Sequence, residues 1–211
     1  MQTATMSEHA AAGSMATPAA PGAFDRFVNS RTALAAAFAW GLAEATFFFI
    51  VPDVLLTLLA CRAWRPAWRA SLAALSGALL GGLLMFAGGA LAPAVASEWL
   101  LRVPAISPEL VAQVQAQLEQ NGLRALFLGP LQGVPYKIYA VVAGTQGLSW
   151  WAFVLVSLPT RYLRFLLAVL AARGLSGLLQ RWTQRRVEFE LTILLALWLE
   201  FYCFYFTKFG W

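Results

Sequence analysis

Five ionisable residues stand inside stretches that are otherwise apolar. Glu44 and Asp53 lie in GLAEATFFFIVPDVLLTLLA, residues 41–60, Lys137 lies in GVPYK, and Arg161 and Arg164 lie in WWAFVLVSLPTRYLRFLLAVLAARG. An arginine at the centre of a bilayer costs about 2.5–3.5 kcal/mol on insertion scales unless it faces protein or water. Arg161 and Arg164 are one turn apart on one helix face, so they share an environment. Ser157, Thr160, Ala168 and Ala171 are assigned to the same small, polar stripe. Leu155, Leu163, Leu166, Leu167, Val169 and Leu170 lie mostly off it, which gives the helix an interior and a lipid side. Pro159 is expected to kink it just before the arginines. Buried arginines want carboxylates, and Glu44 and Asp53 are the acids available. The expectation is one cluster of Glu44, Asp53, Lys137, Arg161 and Arg164. Its cations suit a phosphate, Arg by its forked donors, and its carboxylates can take up and release a proton. The plain alternative is a set of static ion pairs.

The elements that must position these residues follow from composition. The chain has 211 residues, 60% hydrophobic and 12% charged, with a mean hydropathy of +0.67. Soluble domains carry about twice that charged share, so an integral membrane protein is expected. The formal charge of +5 sits in short clusters between apolar runs. Such clusters orient membrane proteins, and nucleic acid is not an expected partner. Cys61 and Cys203 have no CxxC partner and there is one His, so neither a metal site nor a disulfide framework is expected, and no cofactor. Without a metal set or a nucleophile beside a base, an enzyme ranks lowest. The first 24 residues lack a basic region followed by an apolar one; they read as a disordered cytoplasmic tail rather than a signal peptide.

Apolar segments fall at 33–60, 70–96, 125–146, 150–172 and 189–207. The second, fourth and fifth each suit one crossing of about 20 residues. The first is interrupted by Pro52 and the acids, the third by Gly129, Pro130, Gly133 and Pro135. Both read as re-entrant hairpins, whose broken backbone must be covered by protein or water. Arg26 and Arg31 before the first segment, with Arg62, Arg65 and Arg69 after it, place both flanks in the cytoplasm. The linker 97–124 is net negative and suits the far side, while Arg173, Arg181, Arg185 and Arg186 await the returning span. The expected fold is an all-α integral membrane protein. It has an inverted repeat of re-entrant hairpin plus transmembrane helix, with an extra C-terminal transmembrane helix. A plain four- or five-helix bundle is the alternative. Residues 107–122 read as an amphipathic helix at the outer interface, capped by Ser107, with Pro108 in its first turn and Gly122 beyond its end. Gly77 and Gly81 form a small-xxx-small packing pair. Trp150 and Trp151 read as interface anchors and the run 181–186 as a topology signal. Glu200 has no partner in the sequence and is assigned no role.

GLAEATFFFIVPDVLL resembles the first motif of the DedA family, also called the VTT or SNARE-associated domain family. In that motif an acid precedes a short apolar stretch and a Pro-(Gly)-acid. GPLQGVPYKIYAVVAGTQGLSWWAFVLVSLPTRYLRF is similar to the second motif, in the form of the YqaA-like branch: Pro and a basic residue, an Ala-Gly pair, then Arg-x-x-Arg-Phe. The resemblance spans roughly residues 33–175. This chain has no Gly between Pro52 and Asp53, Leu131 or Gln132 where better-known members have a further Arg, and Thr160 where the branch has Gly. The resemblance implies inverted repeats with two re-entrant hairpins in a bacterial inner membrane, and the flanking arginines set the N-terminus in the cytoplasm. The expected division is a disordered N-terminal tail at 1–30, a DedA/VTT-like membrane domain at 31–175, and a basic loop with a C-terminal transmembrane helix at 176–211. The resemblance also implies translocation of a phosphate-bearing lipid, polyprenyl phosphate or phospholipid, linked to the proton-motive force. By motif position Glu44 and Asp53 match the family's acids and Lys137 its basic residue. Lys137, Arg161 and Arg164 are then expected to bind the anion, Glu44 and Asp53 to couple or gate, and Pro52, Pro130 and Pro135 to break the hairpins. The partners are membrane lipids and protons, with the oligomeric state open. A proton- or ion-coupled small-solute transporter, or a non-transporting protein with a structural cluster, remain the alternatives.

Overall fold

Among the described residues, three helices are long and apolar enough to cross a bilayer: Trp64–Leu91, Trp150–Gln180 and Phe189–Thr207. They coincide with the second, fourth and fifth apolar segments. The computed structural model describes residues 22–183 and 187–209, and among these there is no strand. In chain order the helices are α1 (Ala23–Val28), α2 (Arg31–Thr46), α3 (Asp53–Arg62), α4 (Trp64–Leu91), α5 (Pro93–Leu101), α6 (Pro108–Asn121) and α7 (Leu123–Leu128). A 3-10 turn (Gly129–Gln132) follows, then α8 (Tyr136–Thr145), α9 (Trp150–Thr183) and α10 (Val187–Phe209). The protein is an all-α integral membrane protein.

The two interrupted segments break where the prolines stand. Pro52 and Pro135 directly precede α3 and α8, and Pro130 lies in the 3-10 turn. A proline cannot donate a helical hydrogen bond, so it begins a helix more readily than it continues one. Thr46 ends α2 by turning its hydroxyl onto the Leu42 and Ala43 carbonyls. The following aromatic and β-branched run has little reason to resume the helix. Trp40 Nε1 holds it by donating to the Ile50 carbonyl at 2.9 Å.

Contacts fix the directions. A Cβ on Gly77 would sit 2.0 Å from the Phe38 carbonyl oxygen, and one on Gly81 2.8 Å from the Ala45 Cβ, so α2 runs parallel to α4. A Cβ on Gly82 would meet Tyr136 at 2.3 Å, and one on Gly89 the Val141 carbonyl at 2.1 Å, so α8 also runs parallel to α4. Asp53 meets Arg164 and the Ala60 carbonyl meets Arg173, so α3 runs parallel to α9. Trp68 contacts Tyr162 while Phe86 contacts Phe153, so α4 and α9 are antiparallel. The chain therefore reverses between α2 and α3. The second arm of each broken segment packs parallel to the long helix of the other half, and those two long helices are antiparallel. This is the inverted repeat, interlocked. Gly77 and Gly81 are packing residues, as expected, joined by Gly41, Gly89 and Gly144, each of which lets a neighbouring carbonyl approach.

Three expectations change. The tail at 1–30 is not uniformly disordered: residues 23–28 form α1, Val28 is buried, and Asp25 pairs with Arg62. Residues 1–21 lie outside the described residues. The last region does not begin with a loop at 176, because α9 continues to Thr183; its two glycines there are tolerated in a helix. The side chains of Arg181, Arg185 and Arg186 lie outside the described residues. Third, α6 is capped by Ser107, which accepts from the Leu110 N–H, as read, but its apolar face is not left to the interface. Val114 and Leu118 are buried, and Tyr139 of α8 donates to Gln117 Oε1 at 2.6 Å.

Candidate functional site

Glu44 lies one turn from the end of α2, Asp53 opens α3, Lys137 is the second residue of α8, and Arg161 and Arg164 lie mid-way along α9. The break between α2 and α3 thus holds two acids nine positions apart at the level of the arginines. The structure brings all five together. Arg161 donates to both oxygens of Glu44, with Nη1 3.5 Å from Oε1 and Nη2 on Oε2. Arg164 sends Nε and Nη2 to one oxygen of Asp53, at 3.1 and 2.9 Å. Lys137 Nζ reaches the break itself, donating to the Phe48 carbonyl at 2.8 Å. It forms no ion pair with either acid.

The two ion pairs differ in access. The side chains of Arg161 and Glu44 are 0% and 6% exposed, whereas those of Arg164 and Asp53 are 22% and 5% exposed. Arg161 is also held between rings, with its guanidinium carbon 4.8 Å from the Tyr136 centroid and 5.1 Å from that of Phe165. That placement adds cation–π attraction in a desolvated setting. Asp53 keeps one buried oxygen, Oδ1, without a hydrogen-bond partner, and Arg161 Nε is likewise unpaired. Lys137 stands in the first turn of α8, where the helix dipole disfavours a cation. A single backbone carbonyl only partly offsets this. Three cations face two carboxylates, so the cluster carries an excess of positive charge suited to an anion.

Sequence reasoning found the charges but misplaced part of their stripe. The buried face of α9 runs Phe153, Ser157, Thr160, Arg161, Phe165, Val169 and Ala172. Ala171 is exposed and Val169 is buried, the reverse of the expectation. Residue size was weighed above the three-to-four period, which would have selected Phe165, four positions after Arg161. The other omission comes from α10. Tyr202 accepts from the Val51 N–H at 2.8 Å, and Trp198 Nε1 donates to Thr57 Oγ1 at 3.0 Å. Their signal was the aromatic repeat Trp198, Tyr202, Phe206 at every fourth position. Glu200 is exposed on the same helix. Among the described residues, no group of three His, Cys, Asp or Glu could hold a metal ion.

Paired charges buried between the broken helices of an all-α fold define the class: an all-α integral membrane protein with a polar cluster inside its apolar core. The model of the VTT domain matches residues 50–173, more than half of the chain, and the chain belongs to this family, the DedA family. An uncharacterized protein of Haemophilus influenzae is 28% identical over 134 residues, covering 62% of this chain and 68% of that one. No solved structure matches. Neither Glu44 nor α10 falls within the matched residues.

Proposed function

We propose that this protein translocates a phosphate-bearing lipid, a phospholipid or polyprenyl phosphate, across a bacterial inner membrane with its N-terminus in the cytoplasm. In this reading the units α2–α3 and α7–α8 are re-entrant and their breaks meet near the midplane, as in secondary transporters of inverted-repeat design. The observation that carries it is the charge imbalance: Lys137, Arg161 and Arg164 are gathered with only Glu44 and Asp53, and Lys137 has a backbone carbonyl in place of a carboxylate. A phosphate would supply the missing charge. Arg164 and Lys137 bind it. Asp53, whose second oxygen is unpaired, takes up a proton when the anion draws Arg164 away.

The sealed Glu44–Arg161 pair favours a second reading for that half of the cluster, a lock between α2 and α9. The test is leaflet exchange of a fluorescent phosphatidic acid in phosphatidylcholine proteoliposomes. Lys137→Gln and Arg164→Gln are expected to slow exchange at least about tenfold while the protein stays monodisperse in detergent. Loss of a charge-assisted contact of about 1.5–3 kcal/mol has that effect. Exchange that is unaltered in both variants excludes the lipid reading. Unfolding of both makes the cluster structural.

A further inference from the structure

The Asp53–Arg164 pair is the more accessible of the two. Ser176 Oγ of α9 donates to Glu190 Oε2 of α10 at 2.6 Å. Trp198 meets Thr57 and Tyr202 meets Val51, so α10 runs antiparallel to α3 and therefore to α9. Twelve residues along each helix from the Ser176–Glu190 bond stand Arg164 and Tyr202, which puts them at one level. Taken over its length, α10 packs on α3 more than on α9. Arg164, the partly exposed arginine of the cluster, stands at this level on α9. Its Nε and Nη2 are committed to Asp53 and its Nη1 is not. The Tyr202 hydroxyl accepts from the Val51 N–H. A phenol that accepts still has its own proton to donate, and the Val51 bond fixes the oxygen's position. No acceptor for that proton is found among the described residues.

We infer that a lateral portal lies between α9 and α10, through which a phosphate-bearing headgroup reaches the cluster, and that Tyr202 is a second anion ligand there beside Arg164. This rests on the lipid reading above and adds a binding residue from a helix outside the matched family domain. The portal faces the membrane, so acyl chains remain in lipid while the phosphate meets one guanidinium and one phenol. Trp198 stacks on Tyr202, with centroids 6.1 Å apart, and holds the ring upright.

The test is thermal stabilisation of the full chain in detergent by dioctanoyl phosphatidic acid, by inorganic phosphate and by dioctanoylglycerol. Phosphatidic acid is expected to raise the unfolding temperature of the wild type and dioctanoylglycerol to leave it unchanged. Tyr202→Phe keeps the ring and should weaken phosphatidic acid binding about tenfold, the loss of one hydrogen bond to a charged group. Thr57→Val also loosens α10 from α3 but leaves the phenol, and should bind as the wild type does. If Thr57→Val weakens binding as much as Tyr202→Phe, Tyr202 only anchors α10 and its role as a ligand is overturned. If Arg164→Gln abolishes binding and Tyr202→Phe does not, the portal is wrong and the lipid reading stands. Stabilisation by phosphate but not by phosphatidic acid keeps the subsite and overturns the lipid. Equal stabilisation by dioctanoylglycerol overturns the anion subsite.

Discussion

Replacing Glu44 by Gln leaves Arg161 charged, sealed and without its counterion. The Arg161 side chain has no exposed surface, its Nε is already unpaired, and its guanidinium lies between the Tyr136 and Phe165 rings. Removing one partner of such a pair costs about 3–5 kcal/mol, because the remaining charge is stranded rather than merely less attracted. The Gln amide oxygen can still accept one hydrogen bond, so about 3 kcal/mol is the expected figure. Arg161→Gln strands Glu44 and should cost a similar amount. The double change removes both charges, and its cost should fall at least about 2 kcal/mol below the sum of the single ones. Reversible unfolding by dodecyl sulfate in mixed micelles measures all four corners of this cycle. The corresponding cycle on Asp53 and Arg164 should show weaker coupling, since the partial exposure of Arg164 screens the charges. Single-change costs at Glu44 and Arg161 that add to the double cost within about 0.5 kcal/mol would refute the reasoning.

Two further outcomes follow from the packing and from the surface. Gly77→Ala forces a methyl to within 2.0 Å of the Phe38 carbonyl, so α2 and α4 must part, at about 1–3 kcal/mol. Gly174→Ala in α9 meets nothing within 4 Å and should stabilise by about 0.4–1 kcal/mol through the unfolded state. Thermal unfolding of both separates packing from propensity, and shifts of the same sign would contradict the close-approach argument. Asp25 is held below the usual carboxylate range chiefly by its hydrogen bonds with Arg62. A lowered folded-state value means that the pair stabilises above the unfolded value, near pH 4, and loses this as pH falls through the folded one. Asp25→Asn should flatten the acid limb of the stability profile below about pH 4, and an unchanged limb counts against the pair.

Much of this protein is visible in residue order. Three spans follow from the length and apolarity of 70–96, 150–172 and 189–207, because a helix in lipid must satisfy its own backbone and cannot hide its composition. Breaks at Pro52, Pro130 and Pro135 follow from a ring that supplies no N–H. The likelihood that the five charges would meet was likewise readable, since lipid leaves Glu44, Asp53, Arg161 and Arg164 few other neighbours.

Which acid meets which arginine was decided by tertiary structure. Glu44 pairs with Arg161 and Asp53 with Arg164 because α2 and α3 reverse across the break and α3 lies parallel to α9. That relation depends on glycines elsewhere in the chain, on α4, where carbonyls of α2 and α8 approach. The two pairs also differ in exposure, the Arg161 side chain at 0% and the Arg164 side chain at 22%. Residue order carries the cost of burying a charge, which is a property of the residue and its solvent. It does not carry which side of that charge is left open, because that is set by the angle at which distant helices pack.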